Sequence, residues 1–376
     1  MRTSPTLTLA LALVGLATAA HAQPLDPPIM NFGFVAAKSV GAVTVGNGAS
    51  QTLTPDADGF IYVDSLTMGV TNSRLFFNPN AKNTPIYLIS HGPVIIGSGA
   101  TIFANGGAPT TKAGGRGGPG GFDGATSPSA GQNDWGVGFG PGGGPAGSPG
   151  SFDYGNVNTM IPLIGGSGAA SHSSYTTGGG GGGGAILLCS ETSIDITGTI
   201  NVEGGCGANG MCGSAGAVRL LAPIVKGTPK MLNAARKRVD TIDASQLTDT
   251  NSATVGAVMI AMPADVPRID VVAVDDVPVT NLDDGIAQFI QFPLDSATRR
   301  HITVRTTNLS GVIPIGIRLV PEYGPATKYL LKDAEQNDLE IYADDQGSDA
   351  ERTFTVDVPA NRRTTIEVWT RPELQP

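Results

Sequence analysis

Three carboxylates, Asp195, Glu203 and Asp243, sit in short apolar repeats, where alternate side chains of a strand point outward. Two carboxyls about 5–10 Å apart on such a face would do acid–base work on a glycosidic bond. Spacing along the chain does not set that distance, and scattered acids on a wet face are the commoner arrangement. The histidines are His21, His91, His172 and His301, with no spacing that suits a triad or a metal. Asp56-Ala57-Asp58-Gly59 opens like a calcium loop but lacks the later spaced Asp and distal Glu, which favours a turn. Seven glycines, Gly178 to Gly184, run into Ala185-Ile186-Leu187. A phosphate loop would need Lys and Ser or Thr there, so that the ammonium reaches the phosphates. No catalytic, cofactor-binding or metal-binding residue is assigned, no cofactor is expected, and the chain is not expected to be an enzyme. Cys206 and Cys212 flank a five-residue loop and are a disulfide candidate in an exported chain. Cys189 lies inside an apolar run and reads as a buried small hydrophobe.

What positions these residues is an internal repeat. Ile86-Tyr87-Leu88-Ile89-Ser90, then Val94-Ile95-Ile96, then Thr101-Ile102-Phe103 match Ile186 to Ser190, Ile194 to Ile196 and Thr199 to Asn201. Further copies are expected from Val218 and from Val258, and Thr101, Thr199 and Thr241 recur at one repeat position. Each copy holds short strands with apolar residues two apart, as in Ile194/Ile196 and Ile200/Val202, so that one side chain points inward and the next outward. One copy cannot bury its inward row, so the copies are expected to stack in a parallel β-helix-like solenoid. Phe60–Val63 and Arg74–Phe77 read as strands before the repeat, and 222–240, with Lys226, Lys230, Arg236, Lys237 and Arg238, as a solvated loop within it.

Residues 106–184 hold 29 glycines in 79 positions, partly at period three with interspersed prolines. Glycine at that period favours polyproline-II segments packed through bare α-carbons. The alternative is a disordered loop. Trp135, Phe139, Phe152 and Tyr154 speak for order. Beyond about Asp265 glycine falls and charge rises. Strand candidates at 269–274, 287–292, 301–307, 313–320, 327–331, 353–358 and 364–370 suggest an immunoglobulin- or fibronectin-like β-sandwich.

Arg2, the apolar run Leu7 to Leu16 and Ala20-His21-Ala22 have the form of an export signal. That divides the chain into a signal peptide at 1–22, the all-β solenoid at 23–265 with its insertion at 106–184, and a sandwich at 266–376. After Ala22 there are 22 basic and 32 acidic residues, a net charge of −10. The acidity argues against nucleic acid as a partner, which calls for a basic surface. No later run is apolar enough over about 20 residues to span a membrane.

Gly182-Gly183-Gly184-Ala185-Ile186-Leu187-Leu188, Ile194-Asp195-Ile196-Thr197-Gly198-Thr199-Ile200-Asn201-Val202-Glu203-Gly204-Gly205 and Gly216-Ala217-Val218-Arg219-Leu220-Leu221-Ala222 resemble a group of exported, glycine-rich bacterial proteins. Most of these are uncharacterised. They look like parallel β-helices with long glycine loops, many ending in a β-sandwich similar to residues 267–376. The resemblance runs from about Ile86 to the C-terminus and transfers no catalytic residue. The expectation is a secreted structural or adhesive protein, periplasmic, extracellular or on the cell surface, with surface glycans or other envelope and matrix components as partners. The alternative is a carbohydrate-active enzyme or glycan-binding module.

Overall fold

The computed structural model describes residues 30–127, 136–145, 147–152, 154–155, 158–171, 177–207, 210–262, 268–280, 290, 292, 298–321, 324–344 and 349–370. The expected signal peptide, Trp135, His172 and the strand candidate at 287–292, apart from 290 and 292, lie outside them. Fifteen strands come first: β1 (Ala42–Val45), β2 (Ser50–Leu53), β3 (Phe60–Val63), β4 (Ser65–Met68), β5 (Arg74–Phe77), β6 (Ile86–Ser90), β7 (Val94–Ile96), β8 (Thr101–Phe103), β9 (Ala185–Ser190), β10 (Ser193–Ile196), β11 (Thr199–Asn201), β12 (Gly216–Gly227), β13 (Lys230–Leu232), β14 (Ala234–Asp243) and β15 (Thr254–Gly256). The helix among the described residues is one 3-10 turn, Ala36–Lys38.

The strands pair in parallel. One sheet follows the path β1-β4-β7-β10-β12-β9-β6-β3, with β14 and β15 continuing beyond β12, and a second is β13-β11-β8-β5-β2. The first folds back on itself because the twelve-residue β12 runs unbroken through the corner. Its residues 217–221 pair with β9, and its residues 224–227 pair with β10. At the other end only Asp64 separates β3 from β4, so the eight-strand path nearly closes. The fold class expected from the sequence, a parallel β-helix-like solenoid followed by an immunoglobulin- or fibronectin-like sandwich, is corrected by this topology. The molecule is built on one strand-rich, nearly closed parallel sheet.

The register follows the apolar pattern. Ile61, Leu88, Leu188, Leu220 and Val239 lie side by side on successive strands and point inward. All are buried, with Ile102, Ile200 and Met231 from the second sheet, in one core. Each such side chain stabilises the fold by roughly 1.5–3 kcal/mol relative to exposure. Ile86, Ile186 and Val218 share a row, but the next place is taken by Lys237, not Val258. Thr101 pairs with Thr199, and the next residue in that row is Lys230; Thr241 lies beside Ala222 in the other sheet. The basic stretch 222–240 is not a solvated loop. It forms the end of β12, β13 and most of β14, because Val225, Met231 and Val239 each supply an inward anchor.

Much of 106–184 packs without joining a ladder. Gly115 N–H donates to Gly179 O, Gly118 N–H to Gly182 O, Gly181 N–H to Gly107 O and Gly183 N–H to Ser214 O, all at 2.8–3.0 Å. These are backbone-to-backbone bonds between glycine segments, and they satisfy groups that no strand satisfies. A Cβ on Gly182 would collide with the Gly166 carbonyl. The described part of the insertion is therefore the packed arrangement, with Phe139 and Tyr154 within it.

The C-terminal strands are β16 (Arg268–Val274), β17 (Val277–Pro278), β18 (Arg299–Thr307), β19 (Gly311–Pro321), β20 (Thr327–Tyr329), β21 (Glu340–Ala343), β22 (Ala350–Asp357) and β23 (Thr364–Thr370). They make two antiparallel sheets, β17-β16-β18-β22 and β20-β19-β21 with β23 against β19. Ile302, Val304, Ile315, Ile317, Leu319, Ile341 and Phe354 form their shared core. The buried Arg318 ties them to the glycine segments. Its guanidinium donates to Gly140 O and Gly143 O and faces Glu367, whose carboxylate accepts from Gly140 N–H at 2.8 Å. Gly140 has φ +92°, a left-handed conformation that favours glycine.

Candidate functional site

Two outer faces of the parallel strands differ in their cover. On β3, β6, β9 and β12 the outward side chains Tyr62, Tyr87, Ile89, Leu187, Cys189, Ala217 and Leu221 are buried in a second apolar cluster. Phe32, Met160, Leu163 and Ala261 cover them from three separate segments. Burial pushes the Tyr87 phenol up to about 12. It raises the Cys189 thiol as well, so this sulfur is held as an inert thiol rather than a thiolate nucleophile.

The cover is fixed by charge. The Asp240 carboxylate accepts from Arg219 Nε at 2.8 Å and from Arg238 Nε at 2.9 Å. The same carboxylate accepts from Val258 N–H at 3.0 Å, and Arg219 donates to Val258 O at 2.9 Å. Val258 is thus docked by side chains instead of a ladder, which is why the expected fourth repeat is absent. At the other edge Glu191 accepts from Phe32 N–H at 3.0 Å with one oxygen and lies 2.7 Å from His91 Nδ1 with the other. Phe34 stacks on His91 at 5.1 Å.

The five-stranded sheet has no such cover among the described residues. Its strands bury an inward row, Leu75, Ile102, Ile200 and Met231, and leave the outward residues half-buried or exposed. Those outward residues form two rows across the strands. One is Ser50, Arg74, Thr101, Thr199 and Lys230; the other is Thr52, Phe76, Phe103, Asn201 and Leu232. The Phe76 and Phe103 rings stack at 5.0 Å and 9°, about one strand spacing. One face of each ring is turned to the other, and both residues are half-buried. Asn105 Oδ1 accepts from Glu203 N–H at 3.1 Å, and Asn78 Nδ2 donates to Thr54 Oγ1 at 2.8 Å, along one margin of the face.

The acids singled out in the sequence are not brought together as a pair. Asp195, on β10, lies 3.2 Å from Lys226. Glu203 follows β11 in the other sheet. Asp243 ends β14, beside Ile224; the Ser245 side chain, and then the Ser245 N–H that donates to it at 2.8 Å, draw its carboxyl below the ordinary value. Asp56 closes a turn by accepting from Asp58 N–H and Phe60 N–H, with Lys38 and Lys82 on the two aspartates at 3.5 Å. His91 lies in the turn between β6 and β7, and His301 lies on β18 in an antiparallel sheet. Cys206 and Cys212 are joined, with Cα atoms 4.0 Å apart. No group of three or more His, Cys, Asp or Glu able to hold a metal occurs among the described residues. Nor is any helix among them long and apolar enough to cross a membrane.

Sequence reasoning missed this open face. The signal was available: Thr199-Ile200-Asn201 alternates cleanly and Thr101 sets a hydroxyl at the matching place before Ile102, whereas residues 86–89 and 185–189 are apolar throughout. Clean alternation marks a strand wet on one side, and a continuous apolar run marks one covered on both. Comparison of the chain with protein-family models, with curated proteins and with solved structures finds no match.

Proposed function

We propose that the chain is an exported, non-catalytic structural or adhesive protein that presents the open face of its five-stranded sheet to a partner at the cell surface, in the periplasm or outside the cell. The observation that carries this reading is the asymmetry of cover: one outer face is sealed by three segments, and the other is flat and unsealed. A rigid backbone suits display, because aligned rows of side chains cost little ordering entropy on binding. The acidic surface suits a soluble exported chain. The export-like N-terminal sequence and the disulfide fit an oxidising compartment.

The test is attachment of the cells that make the protein. The paired change Thr101→Glu and Thr199→Glu puts two charges in the centre of the open face without touching the core. Deletion of the chain and this double variant are both expected to abolish attachment to surface or matrix, with the variant secreted and folded at normal yield. Unchanged attachment in either strain would overturn the proposal.

A further inference from the structure

We infer that the open face binds an anionic, uronate-type polysaccharide laid across its strands; this rests on the reading of that face as the display surface. The first outward row alternates function: Ser50 hydroxyl, Arg74 cation, Thr101 hydroxyl, Thr199 hydroxyl, Lys230 cation. Arg74 and Lys230 are exposed and have no ion pair among the described residues. In a chain with 32 acidic and 23 basic residues, two such cations on one flat surface are a local reversal of sign. The strand residues of the face carry no acid: β2, β5, β8, β11 and β13 contain neither Asp nor Glu. The chemistry complementary to this row is negative charge at two points, with hydroxyls between.

The two cations are three strand spacings apart, about 14 Å at roughly 4.8 Å per strand. That is too far for one small anion and suits a polymer that repeats its charge. The hydroxyls of Ser50, Thr52, Thr101 and Thr199 meet no protein partner among the described residues, so they are free to exchange hydrogen bonds with sugar hydroxyls. The stacked Phe76–Phe103 edge beside this row gives the polymer an apolar kerb. The stack uses one face of each ring, and the charged and hydroxyl row, which supplies both cations, is the primary contact. Nucleic acid would also be drawn to the cations, but in a chain of net charge −9 two cations give little of the basic surface that a polyphosphate backbone calls for.

The experiment titrates the secreted chain with alginate, dextran and single-stranded DNA at low and at physiological salt. Alginate is expected to bind, weakening as salt screens the contact; dextran is not, and DNA is expected to bind at least tenfold more weakly. Replacing Arg74→Ala and Lys230→Ala together should weaken alginate about tenfold, since each exposed charge contributes up to about one factor of five. Equal binding of dextran or of DNA, or indifference to the double alanine change, would overturn the inference. If attachment fails in the Thr101→Glu, Thr199→Glu variant while alginate never binds, the display reading stands and the polysaccharide falls. If attachment survives that variant, the display reading itself falls.

Discussion

Every residue of β6 and β9 is buried, whereas β8 and β11 bury only their central residue. The two pairs come from the same two repeats, Ile86–Phe103 and Ile186–Asn201, and their inward side chains share one core. The difference lies wholly on the outward side. Around β6 and β9 those positions hold Tyr87, Ile89, Leu187 and Cys189, and distant segments return to cover them. Around β8 and β11 they hold Thr101, Phe103, Thr199 and Asn201, and no described segment does. Outward residue type, not the repeat itself, decides which face is covered and which the described segments leave open. A covering segment costs conformational entropy to order, which only apolar outward residues offset.

The largest test of that contrast removes the charge that holds the cover. Asp240 is fully buried and is shared by Arg219 and Arg238. Asp240→Ala leaves two buried guanidiniums without their carboxylate, which destabilises by about 3–5 kcal/mol. Chemical denaturation is expected to show that loss, and hydrogen exchange should show Val258 to Met262 opening first. A loss below about 1 kcal/mol would mean the cover does not depend on the cluster.

A second test asks whether the glycine segments are as tightly built as the covered face. Gly182→Ala drives a methyl against the Gly166 carbonyl. Overpacking of this kind costs about 1–3 kcal/mol. Gly46, between β1 and β2, has nothing within 4 Å of the same position and an ordinary φ, so Gly46→Ala is expected to be neutral or slightly stabilising. Thermal unfolding of the two variants should separate them clearly. Equal midpoints would show that the glycine contacts relax freely.

Much of this contrast was legible in the sequence, and the rest was not for identifiable reasons. The pairing of Ile86 with Ile186 could be read from the hundred-residue shift, and that of Thr101 with Thr199 from the same shift less a two-residue deletion, because matching apolar spacing demands matching register. The turn of the sheet through β12 could not. An unbroken twelve-residue strand looks the same whether it stays in one plane or passes a corner, and only its two partners reveal it. The stretch 222–240 read as a loop because it gathers five basic residues; Arg238 and Asp240 are nonetheless buried, each satisfying the other. Val258 looked like another repeat because Gly256-Ala257-Val258 copies Gly216-Ala217-Val218. Its backbone was claimed instead by Asp240 and Arg219, partners that no local pattern announces. The open face was missed because functional groups were sought as acids and histidines, whereas its rows hold hydroxyls, two cations and two phenyl rings that only the strand register aligns.

The smallest expected effect is the sharpest discriminator between the two faces. Thr101→Ala with Thr199→Ala removes two outward hydroxyls that have no hydrogen-bond partner among the described residues, so stability should move by no more than about 0.5 kcal/mol. The matched pair on the covered face, Ile89→Ala with Leu187→Ala, removes buried groups, and each such change costs about 2–5 kcal/mol. Denaturant titration of the two double variants therefore reads the difference in cover directly. A loss of 2 kcal/mol or more from the threonine pair would mean that the open face is structural after all, since half-exposed hydroxyls have that effect only when they brace the sheet or are covered by chain. A stability unchanged by the threonine pair, beside attachment that falls, would separate the part of the molecule that holds it together from the part that meets its partner.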